Sequence, residues 1–200
     1  MKIIRPRWEF VREPDGLDML RHIEEAGRLC YKSESKITEE SSSNFVRNAI
    51  KAGHYSIIEH CNISVRIITD RGVTHELVRH RLASFSQEST RYCNYSKDKF
   101  DAQVTYIEPT FKLSESDVSL LKHIENHYMC RLDEGLTPQE ARYFLPNGLK
   151  TEIVVTANIR EWRHIFKLRT SPKSHPQIKE LTEGMLIGFQ KVMPVLFDDI

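Results

Sequence analysis

Glycine is scarce in this chain, eight of 200 residues, and the glycine-rich patterns that cradle phosphate, Gly-x-Gly-x-x-Gly and Gly-x-x-x-x-Gly-Lys, are missing. Any nucleotide bound here must therefore be held by side chains. The four cysteines, Cys30, Cys61, Cys93 and Cys130, stand 31, 32 and 37 residues apart with no Cys-x-x-Cys pair, which excludes a zinc ribbon and a small disulfide scaffold. No apolar run approaches the roughly 18 residues of a membrane span, and Met1-Lys2-Ile3-Ile4-Arg5-Pro6 lacks the apolar stretch of a signal peptide. The expected location is the cytoplasm, with reduced thiols. Excess charge of either sign is also missing: 29 Lys plus Arg face 28 Asp plus Glu, a net charge of +1. Such a balance argues against nucleic acid or anionic lipid held by bulk positive charge, so an anion must be met by a local cluster.

What is present is an ordinary globular composition, 40% hydrophobic and 28% charged, at a length that suits one domain. No repeat, low-complexity tract or long linker divides it, and the expectation is a single mixed α+β domain over residues 1–200, a β-sheet flanked by helices. Residues 3–11 read as a strand broken by Pro6. Asp15 can cap a helix carrying Leu17, Leu20, Ile23 and Leu29, and a second helix runs over about 39–52, with Phe45, Val46, Ala49 and Ile50 on one face and Gly53 at its end. Residues 62–69 alternate as a strand, and Asp70 caps a helix that delivers Arg79-His80-Arg81 near its C-terminal end.

Ser114 opens a long polar helix to about Asp133, and Thr137-Pro138-Gln139-Glu140 is a capping box for a helix stopped by Leu145-Pro146-Asn147-Gly148. Residues 149–157 contain the β-branched run Ile153-Val154-Val155-Thr156, compatible with a strand or the buried part of a helix. Asn158 can cap a helix over 159–169 with Ile159, Trp162, Ile165 and Phe166 on its apolar side. A last helix follows Pro176, carrying Ile178, Leu181, Met185, Ile187 and Phe189.

Two metal patterns fail on inspection. In His75-Glu76-Leu77-Val78-Arg79-His80 the histidines are five apart, and Arg79 holds the place of the second ligand, so no zinc protease motif exists. His123 and His127 are four apart, yet their polar surroundings read as a solvated helix face. No metal is expected. The conspicuous segment is 79–92, with three Arg, one His and a run of hydroxyl and amide donors. Arg suits phosphate and planar carbonyl edges because its fork donates two parallel hydrogen bonds and never loses its charge. A second donor cluster spans Asn158 to Arg169; read as a plain surface helix, it would pair its Arg with Glu161. On these patterns alone an RNA- or nucleotide-binding module with an Arg-rich patch is the alternative, although only Phe85 and Tyr92 are aromatics interleaved with the Arg.

The segment Arg79-His80-Arg81, seven residues, Ser89, continuing into Arg91-Tyr92, resembles the Arg-His-Arg-x7-Ser signature of the flavin-dependent thymidylate synthases. Three further segments match in order. His54-Tyr55-Ser56-Ile57-Ile58-Glu59-His60 is similar to the family's His-x-Ser-x-x-Glu-His, Ala141-Arg142 with Leu145-Pro146 to its Ala-Arg-x-x-Leu-Pro, and Asn158-x-Arg160 with Leu168-Arg169 and His175 to its later elements. Glu76 stands where Gln is common in the family, and His164 where Asn is.

The resemblance implies methylation of dUMP to dTMP, with methylenetetrahydrofolate as one-carbon donor and NADPH as reductant through FAD. It also implies a homotetramer with active sites at subunit interfaces, and no nucleic acid or membrane partner. By residue it implies FAD contacts from Ser56, Arg79, His80, Arg81, Gln87, Asn158, Arg160 and His164. The dUMP contacts would come from Glu76, Arg79, Gln87, Glu88, Ser89, Arg91, Arg142 and Arg169, with Arg169 as the catalytic residue facing the uracil ring. A fixed guanidinium there stabilises the negative charge that grows on the ring as C5 becomes nucleophilic, and its pKa forbids a role as base. Ser89 is expected to bind dUMP rather than attack it, since a serine nucleophile needs a base beside it.

Overall fold

The computed structural model describes residues 1–200. In chain order it contains β1 (Lys2–Ile4), β2 (Arg7–Phe10), α1 (Gly16–Leu29), α2 (Ser41–Lys51), β3 (Asn62–Asp70), α3 (Arg71–Leu77), β4 (Ala83–Gln87), β5 (Thr105–Ile107), α4 (Glu115–Asp133), α5 (Pro138–Ala141), β6 (Lys150–Asn158), α6 (Ile159–Arg169), α7 (Pro176–Val192) and α8 (Pro194–Phe197). A 3₁₀ segment covers Tyr55–His60. Strands β2, β3, β6 and β4 form a four-stranded sheet in that order, while β1 and β5 pair in parallel, Ile3 opposite Tyr106. This is the mixed α and β architecture expected.

The local signals act as read. Pro6 separates β1 from β2 because it has no N–H to give to a ladder. Asp15 Oδ1 accepts the N–H groups of Leu17 and Asp18 at 3.0 Å each, and Asp70 Oδ1 accepts that of Val73 at 2.8 Å. Ser114 with Asp117 and Thr137 with Glu140 form reciprocal capping boxes. Gly53, at φ +78°, ends α2 in the left-handed conformation open to glycine. The ambiguous run 150–158 is a strand whose residues alternate between buried and half-buried, so β-branching and a period of two prevail over the helical reading.

Several expectations need correction. Of the four apolar residues expected on α1, Leu20 and Ile23 are buried, together with Glu24 and Gly27, while Leu17 and Leu29 are exposed. Gly27 is needed because a Cβ there would come within 2.7 Å of the Phe45 ring. Ile187 on α7 is exposed. α3 stops at Leu77 with Val78 as its C-cap, so Arg79-His80-Arg81 does lie near its C-terminal end, as expected. The helix after Thr137 lasts one turn and tightens into a 3₁₀ turn at Arg142–Phe144. β4 and β5 are two further strands, the second the β-branched and aromatic Thr105-Tyr106-Ile107.

Contacts cluster the chain into two compact units, each assembled from three segments: 1–7, 67–79 and 86–153 in one, 8–66, 80–85 and 154–200 in the other. The first has its core in Tyr95, Val104, Tyr106, Tyr128, Ala141 and Leu149. There, Val104 N–H donates to the buried Glu125 carboxylate at 2.7 Å. The second is built on aromatic packing among Trp162, Phe166, Phe189 and Phe197, with centroids 4.9 to 5.9 Å apart. Trp162 Nε1 donates to the Ile63 carbonyl at 3.0 Å, satisfying the one polar atom of that cluster's indole. Gly188 admits Trp8, whose ring would lie 2.3 Å from a Cβ.

Candidate active site

In the second unit, α6 starts at Asn158, whose Oδ1 caps the helix by accepting the Glu161 N–H at 2.8 Å. Its apolar stripe, Ile159, Trp162, Ile165 and Phe166, is buried, which fixes the rotation of the helix. That rotation aims Glu161, His164 and Arg169 at His80. Arg169 Nε donates to His80 Nε2 at 3.0 Å, His80 Nδ1 lies 3.4 Å from Glu161 Oε1, and the His80 and His164 rings meet edge to face at 5.6 Å.

His80 is buried, and burial first, then the Arg169 and His164 charges, push its pKa down to about 4. It is therefore neutral near pH 7, and its contact with Glu161 is not an ion pair. Burial raises the Glu161 pKa against a smaller opposing pull from His164. The ligand-type atoms of His80, Glu161 and His164 lie within 4.8 Å of one another, but Arg169 already donates to this imidazole and brings a positive charge to the place a cation would need.

The same unit holds a cavity of about 700 Å³ whose lining includes Phe45, Asn48, His54, Tyr55, Ser56 and Arg160. Arg160 is held there by Glu59 at 2.6 Å. Of the residues expected at a cofactor, Ser56 and Arg160 line this cavity, while Asn158, His80 and His164 do not. An apolar floor beside a hydroxyl and a guanidinium matches what a planar heterocycle joined to phosphate requires. Arg81 is exposed after the turn that follows His80.

The remaining expected residues belong to the first unit. Glu88 is anchored on both oxygens, accepting Tyr95 Oη–H at 2.8 Å and facing Lys150 Nζ at 2.8 Å. Gln87 gives its Nε2–H groups to Thr74 and Thr151 at 3.0 and 3.1 Å, so its amide nitrogen serves the scaffold. Ser89 Oγ accepts the Arg91 N–H at 3.3 Å in a tight turn, and no base contacts it. Arg91 Nε donates to Gln139 at 3.1 Å, and Arg142 Nη1 to Thr90 at 3.2 Å. Arg79 is exposed and Glu76 half-buried.

A smaller cavity of about 220 Å³ is lined by Arg71, Thr90, Arg142, Tyr143 and Asn147 among others. Arg71, which the sequence reading passed over, has its Nη1 buried without a hydrogen-bond partner. A buried guanidinium nitrogen left unsatisfied beside a second Arg is the mark of a site for an anion. The only sequence signal was its place directly after the Asp70 cap. Glu161 faces His80 in the interior, where a plain surface helix would have paired it with an Arg.

Comparison with known proteins shows the family of the chain. The family model described as thymidylate synthase complementing protein matches residues 16–195. The flavin-dependent thymidylate synthase of Geobacter sulfurreducens is 34% identical, covering 87% of this chain and 78% of its own. That of Mycolicibacterium gilvum is 36% identical, covering 97% and 84%. In fold, the chain is similar to the UMP/dUMP methylase PolB of Streptomyces cacaoi, solved with 5-Br dUMP, at a TM-score of 0.78 and 24% identity over 99% of this chain and 96% of that one. The chain belongs to the thymidylate synthase complementing protein family, that of the flavin-dependent thymidylate synthases.

Proposed function

We propose that this protein is a flavin-dependent thymidylate synthase: it methylates C5 of dUMP to give dTMP, taking the carbon from methylenetetrahydrofolate and reducing equivalents from NADPH. FAD, when bound, supplies the hydride chemistry that no side chain can perform. The methylene carbon needs one hydride to become a methyl group, and C5 gives up its hydrogen as a proton, so one NADPH balances each turnover. The observation that carries this reading is the guanidinium of Arg169 held by its Nε against a buried, neutral His80.

Fixed in this way, the plane of Arg169 is set before substrate arrives. A preorganised cation opposite the uracil carbonyl edge stabilises the charge that develops when C5 becomes nucleophilic, and it does so without reorganising during the reaction. Arg71 and Arg142 offer the nucleotide phosphate two guanidiniums, with Thr90 holding Arg142 in place. Ser89 and Arg91 bind dUMP from the turn that follows β4, while Glu88, gripped by Tyr95 and Lys150, is positioned to accept from the ribose or base. Ser56 and Arg160, which line the larger cavity, hold the cofactor.

The functional form is a cytoplasmic homotetramer whose subunits complete one another's sites. No helix is long and apolar enough to cross a membrane. The test is purified protein with its flavin. Retained FAD, and dTMP formed only when methylenetetrahydrofolate and NADPH are both present, support the reading; a colourless protein that takes up no FAD contradicts it.

A further inference from the structure

Glu161 has no role in the account so far, yet it is a carboxyl group only 6% exposed. Burying a carboxyl is costly unless something receives its charge or its proton. Here Oε1 faces His80 Nδ1 at 3.4 Å, a contact longer than a full hydrogen bond but with the right partner. A neutral imidazole carries one proton, on one nitrogen or the other. His80 Nε2 receives the Nε–H of Arg169 at 3.0 Å, so that nitrogen must keep its lone pair and the proton must sit on Nδ1. The Glu161 carboxyl is the acidic group beside that nitrogen, near enough to favour a proton there.

We propose that Glu161 is a positioning residue: by drawing the proton of His80 to Nδ1 it keeps Nε2 an acceptor and thereby holds the Arg169 guanidinium in one orientation. In the other tautomer, Nε2–H would point at the Nε–H of Arg169, two donors facing each other, and the guanidinium would have to turn away. Glu161 thus acts through His80 and touches no reactant. Its backbone supports the same arrangement, because the Asn158 cap holds its N–H at 2.8 Å and so fixes the first turn of α6. His164 meets the same imidazole edge to face at 5.6 Å. The inference rests on the reading of Arg169 as the group that activates the uracil ring.

Two variants of the flavin-loaded protein separate the possibilities. Glu161→Met matches the length but accepts no proton, whereas Glu161→Gln keeps a carbonyl acceptor. With Glu161→Met, kcat for dTMP formation should fall about 10-fold or more, the scale seen when a partner that orients a reacting group is lost. KM for dUMP should change less than kcat does, because the oriented guanidinium acts mainly on the charge that develops in the transition state. Glu161→Gln should recover most of the rate, and in an Arg169→Lys background Glu161→Met should cost nothing further. Nitrogen-15 NMR of labelled histidine, with His80 assigned by its loss in His80→Gln, should show the Nδ1–H tautomer in the unaltered protein and a mixture in Glu161→Met. An Nε2–H tautomer in the unaltered protein overturns the proposal, as does a kcat that Glu161→Met leaves unchanged. Failure of the unaltered protein to make dTMP would instead overturn the functional reading, and the tautomer measurement still decides the role of Glu161.

Discussion

Arg169 Nε and His80 Nε2 lie 3.0 Å apart across 89 residues of sequence, the arginine donating and the imidazole accepting. This contact joins the end of α6 to the turn after α3, and it works only while His80 is neutral. Burial and two neighbouring positive or potentially positive groups ensure that it is, lowering the pKa to about 4.

Replacing Arg169 by Lys keeps the charge but removes both the planar fork and the Nε–H that His80 receives. The expected loss in kcat is about 100-fold or more, comparable with removal of one preorganised donor to a developing anion, with FAD content unchanged. Steady-state dTMP formation measures it. An Arg169→Lys variant as fast as the unaltered protein would remove Arg169 from the role assigned to it.

Stability should depend on pH through His80, and the sign follows from the two states. Folded, the group stays neutral down to about 4; unfolded, it takes up a proton below its ordinary 6.5. The unfolded chain thus binds more protons in that window, so this contribution to stability falls as pH drops from 6.5 toward 4 and is constant above. Glu161 works oppositely: its raised pKa gives stability that is fully present below the ordinary 4.5 and is lost as pH rises through the folded value. Urea midpoints between pH 4 and 7 should therefore show a shallower acid loss in His80→Gln than in the unaltered protein. Equal slopes would contradict a neutral buried His80.

Arg71→Met and Arg142→Met should each raise KM for dUMP about 10-fold or more, the cost of one charge-assisted hydrogen bond, while FAD absorbance stays the same. Deoxyuridine, lacking the phosphate, should bind both variants as it binds the unaltered protein. A dUMP KM indifferent to both changes would remove the phosphate from the smaller cavity.

Ser89→Ala should weaken dUMP binding yet leave turnover at saturating dUMP within about 10-fold, since its Oγ accepts the Arg91 N–H and meets no base that could activate it. Complete loss of turnover at saturation would assign it as a nucleophile.

Much of the fold was legible because its signals are local. The Asp15, Asp70 and Asn158 caps and the Ser114 box are written within four residues, and each acts where the sequence places it. β4 and β5 were not, because at five and three residues the alternation of Ala-Ser-Phe-Ser-Gln and the β-branched and aromatic Thr-Tyr-Ile span too few positions to stand out from a loop. The exposed Leu17 and Leu29 show the same limit: helical spacing marks a face, but only the neighbours decide its width. At the site, the resemblance supplied His80, His164 and Arg169 as residues without their mutual contacts. Those arise because the buried stripe of α6 sets its rotation against a turn some eighty residues earlier. Glu161 and Arg71 look like surface charge in a sequence, and only burial reveals them.

The most direct test of the account gives the flavin-loaded protein dUMP, NADPH and methylenetetrahydrofolate labelled with carbon-14 in its methylene group. The account requires the label to emerge as the C5 methyl of dTMP, with one NADPH consumed per dTMP formed. NADPH oxidised while dUMP remains unlabelled would contradict it.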